Sequence, residues 1–384
     1  MFATILRLLI FLMLIQISGC QTKGRNEYSR DTSDSIGKID SLIQKHYDQD
    51  DFHGQVVISH NSEIIYQNNV GLANRTWNIP VDDEVRFDIA SLNKSMIAAL
   101  TLKAVEEELL SLDDRLVDLI ANFSYKGQFH SDITLHQLLS HTAGLPDYDA
   151  IPADLKLNNF RNFKRLYFSN EDYVNFISQL DPINDPDQQF YYSNFSYHLI
   201  AIIIENTYGR PFSEILKEKL SHPLGLNNTC SELNNRKISS KLAEAYTYDK
   251  ETKQWSKNPF IDLSLGRRIF STASDLNRWA QVMDNPGYLS AHSLALMQQN
   301  HLEHLNEKTS YGYGWVVIDA ENKSVMGDIG IDKPYIIHGG STDGYKAMLV
   351  NINKGEYVLS FLSNVGNRTQ EVQLTKKIIN ILID

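Results

Sequence analysis

Cysteine is nearly missing from this chain: Cys20 and Cys230 are the only two among 384 residues. They allow one disulfide at most, so a small disulfide-stapled scaffold is excluded. Long runs of one charge are missing too. The 47 acidic and 36 basic side chains are interspersed and leave a formal charge of −11. That balance gives no electrostatic attraction to nucleic acid or anionic lipid, and no nucleic-acid partner is expected. Internal repeats are absent as well. What the chain has is apolar and aromatic bulk, 42% and 10% of its residues, enough to bury a sizeable core in one large domain or two closely packed ones.

Met1 to Gly19 carry a single charge, Arg7, among Ile, Leu, Phe and Met. The apolar stretch Leu8–Ile17 is too short to span a bilayer comfortably and ends in small residues, the form of an export signal. Its last residues, Ile17-Ser18-Gly19-Cys20, resemble the bacterial lipobox, in which cleavage precedes a cysteine that takes a diacylglycerol. The resemblance implies a signal peptide over 1–19, lipidation at Cys20, and a domain tethered to the membrane without being embedded in it, on the periplasmic side or at the outer membrane. Lipidation would leave Cys230 as a lone thiol. Its neighbours Leu224 to Thr229 include no His or Asp, so buried packing is expected of it.

Residues 20–35 are polar and read as a flexible tether. Ile36, Ile39, Leu42 and Ile43 then recur at helical spacing, and two strand-like runs, Gly54–Ser59 and Glu63–Tyr66, flank the turn-prone His60-Asn61-Ser62. Ala90 to Leu109 has the pattern of a buried helix. More helices separated by Pro- and Asn-rich loops follow to about Arg268, with no obvious strand pairing. The end turns β-rich, with runs at Tyr313–Ile318, Tyr335–His338, Tyr345–Val350 and Tyr357–Leu362, before a helix over about Thr369–Leu382. This order describes an α/β fold: an antiparallel sheet of roughly five strands flanked by helices, whose two halves are separated in sequence. Residues 36–90 and 271–384 are expected to build it, with a mostly helical domain over 91–270 inserted between them.

Three motifs carry chemistry. Ser91 stands at the start of the buried helix with Lys94 three residues on, so the lysine projects back over the hydroxyl. Burial and the positive helix end both disfavour the ammonium, which makes a neutral, proton-accepting amine available there. Alone, the pair is also the pattern of a helix cap and a solvated face. Tyr192 and Asn194, two apart in an extended turn, can face one cleft, and a phenol beside an ammonium is stabilised as phenolate and can relay a proton. A Tyr-rich loop with core aromatics fits the same residues. His338-Gly339-Gly340-Ser341 closes an apolar run, and paired glycines at a strand's end either admit a substrate backbone or mark a bulge.

Taken together and in this order, the motifs resemble the SxxK, YxN and KTG-type motifs of the serine β-lactamase and penicillin-binding-protein superfamily, in particular its class C β-lactamase, DD-peptidase and esterase branch. The resemblance runs from about residue 36 to the end and includes Leu138–Pro146, Pro223–Leu226 and Ser271–Leu276. It implies a β-lactamase/transpeptidase-like fold and a serine hydrolase that forms an acyl-enzyme on an amide or ester of a small molecule or peptide. Ser91 is then the nucleophile, Lys94 and Tyr192 share the proton work, and Asn194, His338, Gly339, Gly340 and Ser341 bind substrate, with the Ser91 and Ser341 N–H groups as oxyanion donors. No metal or organic cofactor is implied, and a monomer is expected. His338 departs from the pattern, which has Lys there. A largely neutral imidazole holds a carboxylate less firmly, so a peptidase or esterase is expected over an efficient β-lactamase.

Other readings are weaker. Gly339-Gly340-Ser341-Thr342-Asp343 lacks the closing Gly of a nucleophile elbow. His130, His136 and His141 do not fall on one helix face, and His301-Leu302-Glu303-His304 lacks the spacing of a zinc helix, so capping, packing and exposure account for these histidines. A non-hydrolytic penicillin-binding sensor or cell-wall-binding lipoprotein keeps the fold and drops turnover.

Overall fold

The computed structural model describes residues 23–151, 169–231, 239–257, 267–342 and 344–383, with side chains from residue 33 onward. Cys20 and the lipobox lie outside the described residues. Helix α1 runs over Lys23–Asp48. The stretch expected to be a flexible tether up to residue 35 is therefore helical from Lys23, ahead of the first apolar anchors, Ile39 and Ile43, which are fully buried.

The centre is an antiparallel sheet of six strands. In chain order these are β1 (Gly54–His60), β2 (Glu63–Val70), β3 (Val316–Ile318), β4 (Tyr335–Thr342), β5 (Tyr345–Ile352) and β6 (Tyr357–Ser363). Across the sheet they lie as β3-β4-β5-β6-β1-β2. The first strand of the chain thus pairs with the last, Gly54 opposite Ser363 and His60 opposite Tyr357, and the hairpin and the β-rich end close into one sheet. The count is six against the roughly five expected: each of the six strand-like runs is a strand of this sheet, with β3 a short edge on β4.

Successive strand residues point to opposite faces, and in the inner strands β1, β5 and β6 both faces are covered, which is why they read as continuous apolar runs, while edge strand β2 is largely exposed. Val56 and Ile58 of β1, with Met348, Val350 and Ile352 of β5, face α1 and the terminal helix α5 (Glu371–Ile383), joining Ile39, Ile43, Leu374 and Ile378 in one core. Val57 of β1 and Ala347 and Leu349 of β5 belong to the second core, shared with helices from the middle of the chain. They include α2 (Asn93–Glu106) and α3 (Asn194–Tyr208), and α4 (Ala273–Gln281), from the later part of the chain, lies on the same sheet face. Helix α2 is buried nearly all round, with Met96, Ile97, Ala98, Ala99 and Leu100 inaccessible, as a central helix must be.

The middle of the chain does contain strand pairing. Phe87–Asp88, Ile269–Ser271 and Cys230–Ser231 form a small three-stranded sheet, and Tyr246–Asp249 pairs with Gln254–Lys257. Segments of two to four residues are too short to show a period. Cys230 is half-buried, not fully packed away, and its sulfur accepts a hydrogen bond from Arg86 Nη1 at 2.8 Å. Among the described residues no helix is long and apolar enough to cross a membrane.

Candidate active site

Three segments distant in sequence meet at one cleft. The first is the turn into α2. Ala90 sits at φ +49°, a left-handed conformation that costs a non-glycine residue roughly 1–2 kcal/mol. Its N–H donates to Asp88 Oδ1 at 2.8 Å, and the buried Asp88 is ion-paired with Arg268 at 2.6 Å. This brace sets Ser91 in a single 3₁₀ turn, Ala90–Leu92, that leads into α2, with the serine half-buried at the cleft. Lys94, one turn on, is 3% exposed. Its Nζ lies 3.2 Å from Ser91 Oγ and donates to Asn194 Oδ1 at 2.7 Å. Burial pulls the lysine pKa down to about 7, against the opposing attraction of Asp147, so near neutrality a large share of the amine is unprotonated.

The second segment is the entry to α3. Ser193 caps that helix, its hydroxyl accepting from the Ser196 N–H and donating to the Pro146 carbonyl at 2.7 Å. Tyr192, just before the cap, hydrogen-bonds Ser91, and its ring centre lies 4.8 Å from Lys94 Nζ. Burial pushes the phenol pKa up. The phenolate expected from sequence is therefore disfavoured: desolvation outweighs the pull of an amine that is itself losing its charge. Asn194 turns its carbonyl to Lys94, while its Nδ2 and backbone N–H donate to the two oxygens of Asp147, at 2.8 and 3.1 Å.

The third segment is β4. His338 is buried; its Nδ1 lies 2.7 Å from the Gly339 carbonyl oxygen and its Nε2 3.1 Å from the Tyr311 hydroxyl. Burial, reinforced by nearby Lys94, lowers its pKa to about 4, so the ring is neutral at physiological pH. Gly339 and Gly340 lie inside the strand, which continues to Thr342, rather than at its end. A Cβ at Gly340 would come within 2.5 Å of the Ile89 carbonyl oxygen and 3.1 Å of Ala90 Cβ. Only glycine lets β4 lie this close to the turn that carries Ser91. At Gly339 a Cβ would meet nothing nearer than Met348 Cε at 3.5 Å, so the space there is left to the cleft. Ser341 is exposed and faces Lys346 across the β4–β5 pair.

The cleft holds about 300 Å³. Ser91, Tyr192 and the His338–Ser341 strand line it, with Lys94 and Asn194 behind them. Val316, Met326, Ile337, Met348 and Val372 make the rest apolar, and Glu371 of α5 adds a carboxylate. Among the described residues no His, Cys, Asp and Glu cluster is arranged to hold a metal ion.

Sequence reasoning missed three contributors. Asp147 orients Asn194, and Tyr311 holds the His338 ring. His141, read as a capping or packing residue, does cap the helix Leu135–Ser140 in a left-handed conformation. It also lies under Tyr192 with ring centres 4.4 Å apart, accepts from the Ser193 N–H at 3.1 Å and takes the Tyr191 N–H on its carbonyl at 2.9 Å. The available signal was the family-like segment Leu138–Pro146, which contains His141 and ends one residue before Asp147.

A braced serine at a helix start, a buried lysine one turn on, and a glycine strand against both define the site type of the serine β-lactamase and penicillin-binding-protein superfamily. The family described as Beta-lactamase matches residues 39–381, and the chain belongs to it. Penicillin-binding protein 4* of Bacillus subtilis (strain 168) is 26% identical over 355 residues, spanning 88% of this chain and 73% of that protein. In structure the chain is similar to an octameric penicillin-binding protein homologue from Pyrococcus abyssi (TM-score 0.75, 22% identity, covering 91% of this chain and 77% of the other). It is similar also to a D-amino acid amidase from Ochrobactrum anthropi SV3 (TM-score 0.73, 19% identity, covering 92% and 98%). These likenesses fix the β-lactamase/transpeptidase-like fold.

Proposed function

We propose that this protein is a serine hydrolase that cleaves an amide or ester through an acyl-enzyme on Ser91, as a peptidase or esterase and not as an efficient β-lactamase. The observation that carries the reading is the buried Lys94 amine, 3.2 Å from Ser91 Oγ with its pKa lowered to about 7. Such an amine takes the serine proton as Oγ bonds to the substrate carbonyl carbon. The carbonyl oxygen becomes an oxyanion, held by the Ser91 and Ser341 N–H groups. When the tetrahedral centre collapses, the bond to the leaving group breaks, and the proton passes to that group directly or through the Tyr192 hydroxyl. Water then repeats the sequence: it gives a proton to Lys94, attacks the acyl carbon, and Ser91 Oγ departs and recovers its proton. Asn194, fixed by Asp147, orients the lysine and the substrate amide. A neutral His338 supplies no cation for a carboxylate, which is the argument against β-lactams.

Around this centre, residues 36–90 with 271–384 and residues 91–270 form the two parts flanking the cleft. The protein is a monomer held in the cell envelope by a lipid on Cys20. Incubation of the mature protein with a fluorophosphonate and with a nitrophenyl ester tests the chemistry. Labelling of Ser91 and ester turnover, both lost in Ser91→Ala, are expected; no turnover by the wild type, or undiminished turnover by the variant, overturns the reading.

A further inference from the structure

Of the described residues lining the cleft, none is a lysine or arginine, His338 is neutral, and Glu371 is the one carboxylate. Glu371 is the first residue of α5, where an acidic side chain is favoured by the helix end. Its Oε1 lies 2.9 Å from Lys346 Nζ, and both side chains are largely shielded, at 23% and 17% exposure. Lys346 stands directly opposite Ser341. Directly opposed residues of an antiparallel pair project to the same face, so this ion pair borders the strand that would carry the substrate backbone.

We propose that Glu371 sets the charge selectivity of the cleft: by occupying Lys346 and presenting a carboxylate to the bound molecule, it excludes substrates with a carboxylate at that end and admits neutral or cationic ones. The proposal rests on the hydrolase reading and deepens it by naming a substrate class, uncharged or cationic acyl compounds with apolar groups. Lys346 offsets part of the Glu371 charge, but like charges in a largely shielded site still repel, and a tenfold rate ratio requires only a modest part of that repulsion. With Glu371 neutralised, Lys346 is released and becomes a cation a carboxylate can use.

Two ester series test it, each charged on one side of the scissile bond. One is phenyl acetate with no charge, a meta-carboxylate or a meta-trimethylammonium group on the ring. The other is the nitrophenyl esters of butyrate, succinate and trimethylammonio-butyrate. The readout is the ratio of kcat/KM between charged and neutral members, which is insensitive to the fraction of a variant that folds. In at least one series the wild type is expected to disfavour the anion by about tenfold or more. Glu371→Gln is expected to bring that ratio to about threefold or less, or invert it, and Lys346→Met to sharpen the discrimination against anions. Equal rates for anionic and neutral esters in both series, or an unchanged ratio in Glu371→Gln, overturn the charge proposal while leaving the hydrolase reading intact. No turnover of any ester defeats both.

Discussion

At the scale of single residues, the proposed chemistry depends on one amine held where its charge is costly. Lys94 accepts a proton only when unprotonated, so kcat/KM for a neutral ester is expected to rise with pH about a midpoint near 7 and to fall about tenfold per unit below it. A flat profile between pH 5 and 9 would count against Lys94 as the base. The same burial bears on stability. The folded-state pKa is depressed from the ordinary 10.5 to about 7, so between those values the unfolded chain binds more protons and stability rises with pH. Lys94→Met is therefore expected to abolish acylation yet stabilise the fold by roughly 1–3 kcal/mol, with the gain largest below pH 7. Chemical denaturation across that range measures it. Tyr192→Phe keeps the ring over His141 and removes the hydroxyl on Ser91; a loss of about a hundredfold in kcat/KM with little change in stability is expected.

At the scale of elements, the site depends on strand β4 pressing against the turn into α2. Gly340→Ala pushes a methyl group into the Ile89 carbonyl, and separating the strand from the turn by a few tenths of an ångström is expected to cost about a hundredfold in kcat/KM. It should also remove roughly 1–3 kcal/mol of stability, read by thermal unfolding alongside the kinetics. Most of this element plan was legible in the sequence. The β-rich end and the first hairpin strand read as strands because both sheet faces are buried there and the runs are continuous, and Ser91, Lys94, Tyr192 and the His-Gly-Gly-Ser segment stood out by order. The rest was hidden for physical reasons. Asp147 and Tyr311 act only through side chains contributed by other segments, and nothing around them repeats. The three-stranded sheet beside Asp88 is built from pieces too short for a pattern, yet it anchors the brace behind Ala90. The phenol of Tyr192 was misjudged because its desolvation belongs to the packed state and not to its neighbours in the chain.

At the scale of the whole molecule, the terminal helices clamp one sheet face while α2, α3 and α4 pack on the other side. Ile43 is fully buried between α1 and that face and is absent from the cleft lining. Ile43→Ala is expected to lower the unfolding free energy by about 2–4 kcal/mol with kcat/KM within about twofold of wild type. The sheet itself joins the two ends of the chain: Ser360 of β6 reaches the Val57 carbonyl of β1 across 303 positions. At synthesis rates of about 5–20 residues per second, strand β1, already paired with β2, waits roughly 15–60 s for its second neighbour β6. During that interval the growing polypeptide lacks the strand that completes its central sheet, so the two ends of the chain can join into one layer only after synthesis has reached β6.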